Sequence, residues 1–142
     1  MSGTKIVMTA EPPPAAVAPS AKLRAENTAV HPRAYGSVPR VIGHYARDQK
    51  LFSLEEAIRK ITSQAALRAH LFDRGVVREG MKADLVVFDP ETVRDPSTFD
   101  DPHKFGEGIS DVIVNGVPVL RGGAMTGARP GRTIRGKGYV GG

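Results

Sequence analysis

Arg74-Gly75-Val76-Val77-Arg78-Glu79-Gly80-Met81-Lys82-Ala83-Asp84-Leu85-Val86-Val87-Phe88-Asp89-Pro90 is the stretch on which the fold turns. Val76-Val77 predicts a short strand, and Gly80 predicts a turn. Gly75 and Gly80 supply backbone conformations that a side chain opposes. Leu85 to Phe88 is a β-branched and aromatic run, the composition of a strand covered on both faces. Asp89-Pro90 ends it, because proline cannot donate to a ladder.

Beyond this stretch the chain stays β-like. Glu91 to Gly108 is a polar loop rich in Asp and Pro. Asp111 to Gly122 then reads as a hairpin about Asn115-Gly116, since both central positions of a type I′ turn need positive φ. Val112 and Val114 fall on one face of its first strand and Ile113 on the other. Pro118 places the second strand at an edge or beside a bulge.

Upstream the period changes to that of helices. Ser53-Leu54-Glu55-Glu56 is a capping box. Leu54, Ala57, Ile58 and Ile61 follow as an apolar stripe, with Glu55–Arg59 and Glu56–Lys60 as i, i+4 pairs opposite. Thr62-Ser63 breaks this helix, and a shorter one is expected from Gln64 to Leu71. Arg40 to Lys50 is a further helix, with Val41, Ile42 and Tyr45 on one side. His31-Pro32-Arg33-Ala34-Tyr35-Gly36 reads as loop. In the first 30 residues Pro12-Pro13-Pro14 and Pro19 forbid a continuous helix, and only Lys5 to Thr9 suits a short strand.

Size and composition set limits. The 142 residues fit one domain, whereas a complete (β/α)8 barrel takes about 250. With no cysteine, disulfides and thiolate metal sites are excluded. No apolar run reaches the roughly 20 residues that span a bilayer, and Met1 to Ala10 lacks the apolar core of a signal peptide. A cytoplasmic protein with no membrane partner is therefore expected. The net charge of +5 sits entirely in the last 22 residues, which hold Arg121, Arg129, Arg132, Arg135 and Lys137 and no acid. Such a tail either contacts phosphates or is solvated or pinned to acidic surface. Tyr139 is its only aromatic, so base stacking has little to work with and no nucleic acid is expected as partner.

Three segments, with the Gly75–Asp89 signature, resemble N-acyl-D-amino-acid deacylases (D-aminoacylases) of the amidohydrolase superfamily. They are His31-Pro32-Arg33-Ala34-Tyr35-Gly36-Ser37-Val38-Pro39-Arg40-Val41-Ile42-Gly43, Leu54 to Lys60 running into Thr62-Ser63, and Ile113 to Val119 followed by Gly127-Ala128-Arg129-Pro130-Gly131-Arg132. Their order and spacing hold from about residue 31 to 136. The resemblance implies the C-terminal portion of such an enzyme and an α+β fragment: terminal helices of a TIM-like (β/α)8 barrel, then part of a small β-sandwich. It divides the chain into residues 1–30, an irregular remnant of the last barrel strand and loop; 31–73, barrel helices; 74–136, the β-sandwich; and 137–142, a tail.

For function it implies a metal-dependent hydrolase of linear amides that splits N-acyl-D-amino acids, with zinc in the full-length family. A barrel-held zinc lowers the pKa of its bound water, and an aspartate on a Ser-Asp-Gly-like turn acts as base and then acid. The family's His-x-His pair has no counterpart among His31, His44, His70 and His103. Where the aspartate would stand, Glu11 is the nearest carboxylate and does not match. No catalytic or metal-binding residue is therefore assigned, and no zinc is expected to bind this chain alone. His31, Arg33 and Tyr35 are the candidate substrate-binding residues. In the family their segment follows the last barrel strand on the active-site side. Arg33 there either pairs with a substrate carboxylate or, with Tyr35, anchors the loop. His103 belongs to an Asp-Pro-His loop, a structural element.

The first reading is thus a deacylase fragment, inactive alone and prone to self-association through barrel-facing surface. The second is a non-catalytic remnant or assembly subunit. A basic nucleic-acid-binding protein ranks last.

Overall fold

A computed structural model of the chain describes the backbone of residues 6–8 and the whole of residues 30–135. The Pro-rich stretch, Glu11 and the end of the basic tail lie outside the described residues.

Helix α1 spans Arg33–Arg40, where a loop is expected from the sequence. The proline and glycine that suggested a loop instead fit a helix. Pro32 stands at the N-cap with φ −48°, already near helical, so its ring prepares the first turn. Gly36 is a packing glycine, because a Cβ there would overlap the Asp95 carboxylate. Pro39 lies inside the helix and has no N–H to give the Tyr35 carbonyl. Just past it the coil widens into a π-helical segment, Val41–Asp48, and the Gln49 N–H donates to the His44 carbonyl at 2.9 Å. The helix expected over Arg40–Lys50 is therefore present in a wider winding. Gly43 lets it approach the Val93 carbonyl. From its last turn, one Arg47 nitrogen donates to the carbonyls of Pro90, Glu91 and Val93 at 3.2, 3.0 and 2.8 Å.

Helix α2, Leu54–Ile61, starts as the sequence predicts. The Ser53 hydroxyl accepts the Glu56 N–H at 3.2 Å. Of the two expected ion pairs, Glu56–Lys60 is present, while Arg59 pairs with Glu56 instead of Glu55. Arg59 reaches Glu56 at 2.6 Å, and Lys60 shares that carboxylate at 3.6 Å. Three-residue spacing brings Arg59 to Glu56 as readily as four-residue spacing would bring it to Glu55. The Thr62 hydroxyl turns back to the Ile58 carbonyl at 2.6 Å. Its non-helical backbone, with φ −125° and ψ −92°, ends α2, and α3 covers only Ser63–Arg68. The Leu71 N–H closes the end onto the Ala66 carbonyl, and His70 takes a positive φ of 58°, so the helix stops short of Leu71.

Five antiparallel strands follow one another across a single sheet: β1 Ile6–Met8, β2 Leu85–Phe88, β3 Ile109–Val114, β4 Val117–Arg121 and β5 Ala124–Met125. Val76-Val77 is not a strand. Both side chains are exposed, and Gly75 and Gly80 turn the chain with φ of 91° and 83°. β2 is covered less than expected, with Phe88 alone fully buried. No second sheet layer, which a sandwich requires, occurs among the described residues. The hairpin is as expected, with φ of 48° at Asn115 and 79° at Gly116. The β3–β4 register slips between Val112 and Ile113, beside Pro118.

Buried Asp84 joins the signature to the hairpin. It accepts from Arg74 at 2.8 Å and from the Asn115 N–H at 2.7 Å. The Gly116 N–H donates to the Ala83 carbonyl at 2.9 Å. The core is small: Ile42, Phe88 and Val93, with Leu54, Ile58, Ile61, Val86 and Ile109 packed around them. The π-helical segment, α2 and the sheet thus share one apolar centre. Full burial of a side chain the size of Phe88 contributes about 1.5–3 kcal/mol.

Candidate functional site

The N-terminal turn of α1 and the loop joining β2 to β3 form a cluster of rings. The His31 Nδ1 accepts the Arg33 N–H at 3.1 Å, which fixes the imidazole at the helix start. The His31 ring meets Phe99 edge-on, with centroids 5.1 Å apart. Tyr35 lies one turn on. Its hydroxyl and the His103 Nδ1 share a hydrogen bond of 3.1 Å, and its ring packs edge-on against His103 and Phe105 at 5.6 and 5.7 Å. Such pairs prefer this geometry because a ring edge is positive and its face negative.

Arg33, between His31 and Tyr35 in the chain, is exposed. Its guanidinium forms no ion pair with a carboxylate among the described residues. An exposed guanidinium is a group suited to pairing with a carboxylate. The cluster offers no activated nucleophile.

Of the residues singled out from the sequence, His31, Arg33 and Tyr35 thus occupy one short helix start. His103 joins them through Tyr35, which its place in an acidic loop does not reveal. Phe99, Phe105, Asp95 and Ser97 carry no sequence signal at all, because their role depends on that loop folding back onto α1. His44 and His70 stay apart from the cluster. The first bonds Gln49 at 2.9 Å, and the second lies against Phe72.

A resident zinc does not fit the residues described. No group of three or more His, Asp or Glu side chains among them can hold a metal ion. The acids held below their usual range also lie elsewhere. Arg47 bonds and depresses Asp48, and Arg74 does the same to Asp73. Glu55 is lowered first by its own helix-end N–H and then by the Ser53 hydroxyl. The Arg59 hydrogen bond carries Glu56 down to about 2. These are structural pairs, and none marks a proton-transfer centre.

The sequence profile of the amidohydrolase family matches residues 24–120. A D-aminoacylase of Alcaligenes xylosoxydans xylosoxydans is 51% identical over 104 residues, which cover 73% of this chain and 22% of that protein. An N-acyl-D-aspartate deacylase and an N-acyl-D-glutamate deacylase of the same organism are 43% and 45% identical, each over 21% of its own length. The chain therefore spans about a fifth of the curated relatives it matches. Among solved structures, a D-aminoacylase superposes with a TM-score of 0.67 at 49% identity, over 69% of this chain and 21% of that one. An N-acyl-D-glutamate deacylase from Bordetella bronchiseptica, solved with zinc and a phosphonate mimic of the tetrahedral intermediate, does so at 0.62 and 45%, over 63% and 19%. The profile match, the sequence identity and the structural superposition agree on one conclusion: the chain belongs to the amidohydrolase family.

Proposed function

We propose that this chain is the C-terminal part of a metal-dependent deacylase of N-acyl-D-amino acids and is inactive by itself. The observation that carries the reading is the 51% identity to a D-aminoacylase over 104 residues. The two other relatives are also named as deacylases of N-acyl-D-amino acids.

In this reading residues 31–73 are terminal helices of a barrel, residues 74–136 belong to the β-sandwich that supports it, residues 1–30 lead in and 137–142 trail. Zinc and the general acid and base belong to the larger enzyme. Arg33 receives the carboxylate of the amino-acid moiety, and His31 and Tyr35 flank it. The enzyme works in the cytoplasm. A carboxylate held by two parallel guanidinium bonds is fixed in orientation as well as place, as selection of one enantiomer requires.

Deacylation of N-acetyl-D-amino acids by the purified chain, with and without zinc, tests the claim of inactivity. No turnover above buffer is expected. Turnover abolished by a chelator and restored by zinc would overturn it. Complementation tests the family role: the chain, mixed with a D-aminoacylase truncated by its matching fifth, is expected to restore activity. An Arg33→Ala version is expected to restore less, through a raised KM. Equal restoration by both would remove Arg33 from the site.

A further inference from the structure

The loop joining β2 to β3 grips α1 from two sides, and one grip is a buried acid. The Asp95 side chain is 3% exposed. Its Oδ1 accepts the Ser97 N–H at 3.0 Å and the Ser97 hydroxyl, and its Oδ2 faces the Arg40 guanidinium at 3.7 Å. The Ser97 hydroxyl also lies 3.4 Å from the Pro32 carbonyl. Between these ends Gly36 sits directly on the carboxylate. Pro32, Gly36 and Arg40 recur every four residues, so they form one face of the helix. On the adjoining face Tyr35 meets His103, and Pro39 meets Gly106 so closely that a Cβ there would overlap it.

A buried carboxylate is a costly way to fill space. Its desolvation must be offset by hydrogen bonds and a countercharge. A small apolar residue under Gly36 would pack at less cost, but it would hold the helix only by contact. The carboxylate holds it by direction as well, with Ser97 at the helix start and Arg40 at its end.

We propose that Asp95 is a positioning residue for the site on α1. With Ser97 it fixes the rotation and axial place of the helix. It thereby sets where Tyr35 meets His103 and where Arg33 projects. This rests on the reading that Arg33 and Tyr35 meet the substrate.

The test is NMR on the labelled, dilute 142-residue chain. It follows Tyr35–His103 ring contacts, amide exchange in α1, and shifts at Arg33 on adding N-acetyl-D-methionine. In Asp95→Ala the ring contact should vanish, α1 exchange should rise about tenfold, and the Arg33 response should weaken about tenfold. Asp95→Asn keeps an acceptor for Ser97 and should recover part of each. Glu107→Ala, which breaks the exposed Arg94–Glu107 pair on the same loop, should change none of them. Should Asp95→Ala fail to fold, Gly36→Ala displaces the carboxylate instead and should also separate Tyr35 from His103. Intact ring contacts with unchanged α1 exchange, in either folded variant, would overturn the proposal. If the wild type shows no response to N-acetyl-D-methionine, the substrate reading falls alone, and the ring contacts still decide what Asp95 holds.

Discussion

Asn115-Gly116 shows how one residue's backbone fixes a sheet edge. Both take positive φ, and a Cβ at Gly116 would meet nothing within 4 Å. Any cost of a side chain there is conformational. Gly116→Val should therefore cost at least about 1–2 kcal/mol. Asn115→Gly should cost about 0.5 kcal/mol, because it loses only the exposed bond to the Pro130 carbonyl, 2.9 Å long. Chemical denaturation of the two variants measures the difference, and equal stabilities would mean that the turn is not the one described. In the core, Phe88 is 1% exposed among Ile42 and Val93. Phe88→Ala should cost about 3–5 kcal/mol by the same measurement.

At the scale of elements, α2 is the most local structure in the chain. Its cap and its stripe are set by residues within two turns, so the sequence alone predicts them. Ser53→Ala should cost about 1 kcal/mol of stability. Glu56 makes the helix acid-sensitive. Its carboxyl drops from the ordinary 4.5 to about 2, chiefly through the Arg59 hydrogen bond. A depressed pKa stabilises the folded state above the ordinary value and loses that contribution as pH falls toward the depressed one. Circular dichroism at 222 nm should show helix loss between about pH 4.5 and 2, reduced in Glu56→Gln and by salt. Unchanged acid curves would mean that the pair contributes nothing.

Helix α1 is the counterpart. Its Pro and Gly residues look locally like loop, and tertiary packing overrides them. Gly36 is needed by Asp95, which lies in a loop with no pattern of its own. Pro39 is accommodated by the wider winding that follows it. The candidate site was legible in part for this reason. His31, Arg33 and Tyr35 stand in one segment, whereas His103, Phe99 and Phe105 reach them only through the return of a long loop.

For the whole molecule, the apolar inventory decides behaviour. Leu51, Leu67, Phe72, Val77 and Phe99 are each more than half exposed, while the buried core is small. Where such side chains are contiguous, the surface normally meets a partner. The isolated chain is expected to self-associate and bind an apolar dye, weakly at low concentration and more as concentration rises. Scattering that shows a dye-inert monomer at every concentration would overturn this. The one-layer sheet points the same way, since the described residues supply no second layer for its outer face.

The order of the strands has a kinetic consequence. From β2 to β5 every strand pairs with the next in the chain, so no crossover must be closed first. Loop closure here takes one step of about 20 residues and then two tight turns, a low entropic barrier. The stretch from Ala83 to Met125 is thus placed to zip up early. The helices, whose contacts with it span longer separations, should dock afterwards. Pulsed hydrogen exchange during refolding should protect the amides of β3 and β4 before those of α1. Simultaneous protection would make the molecule a single cooperative unit in time as well as in space.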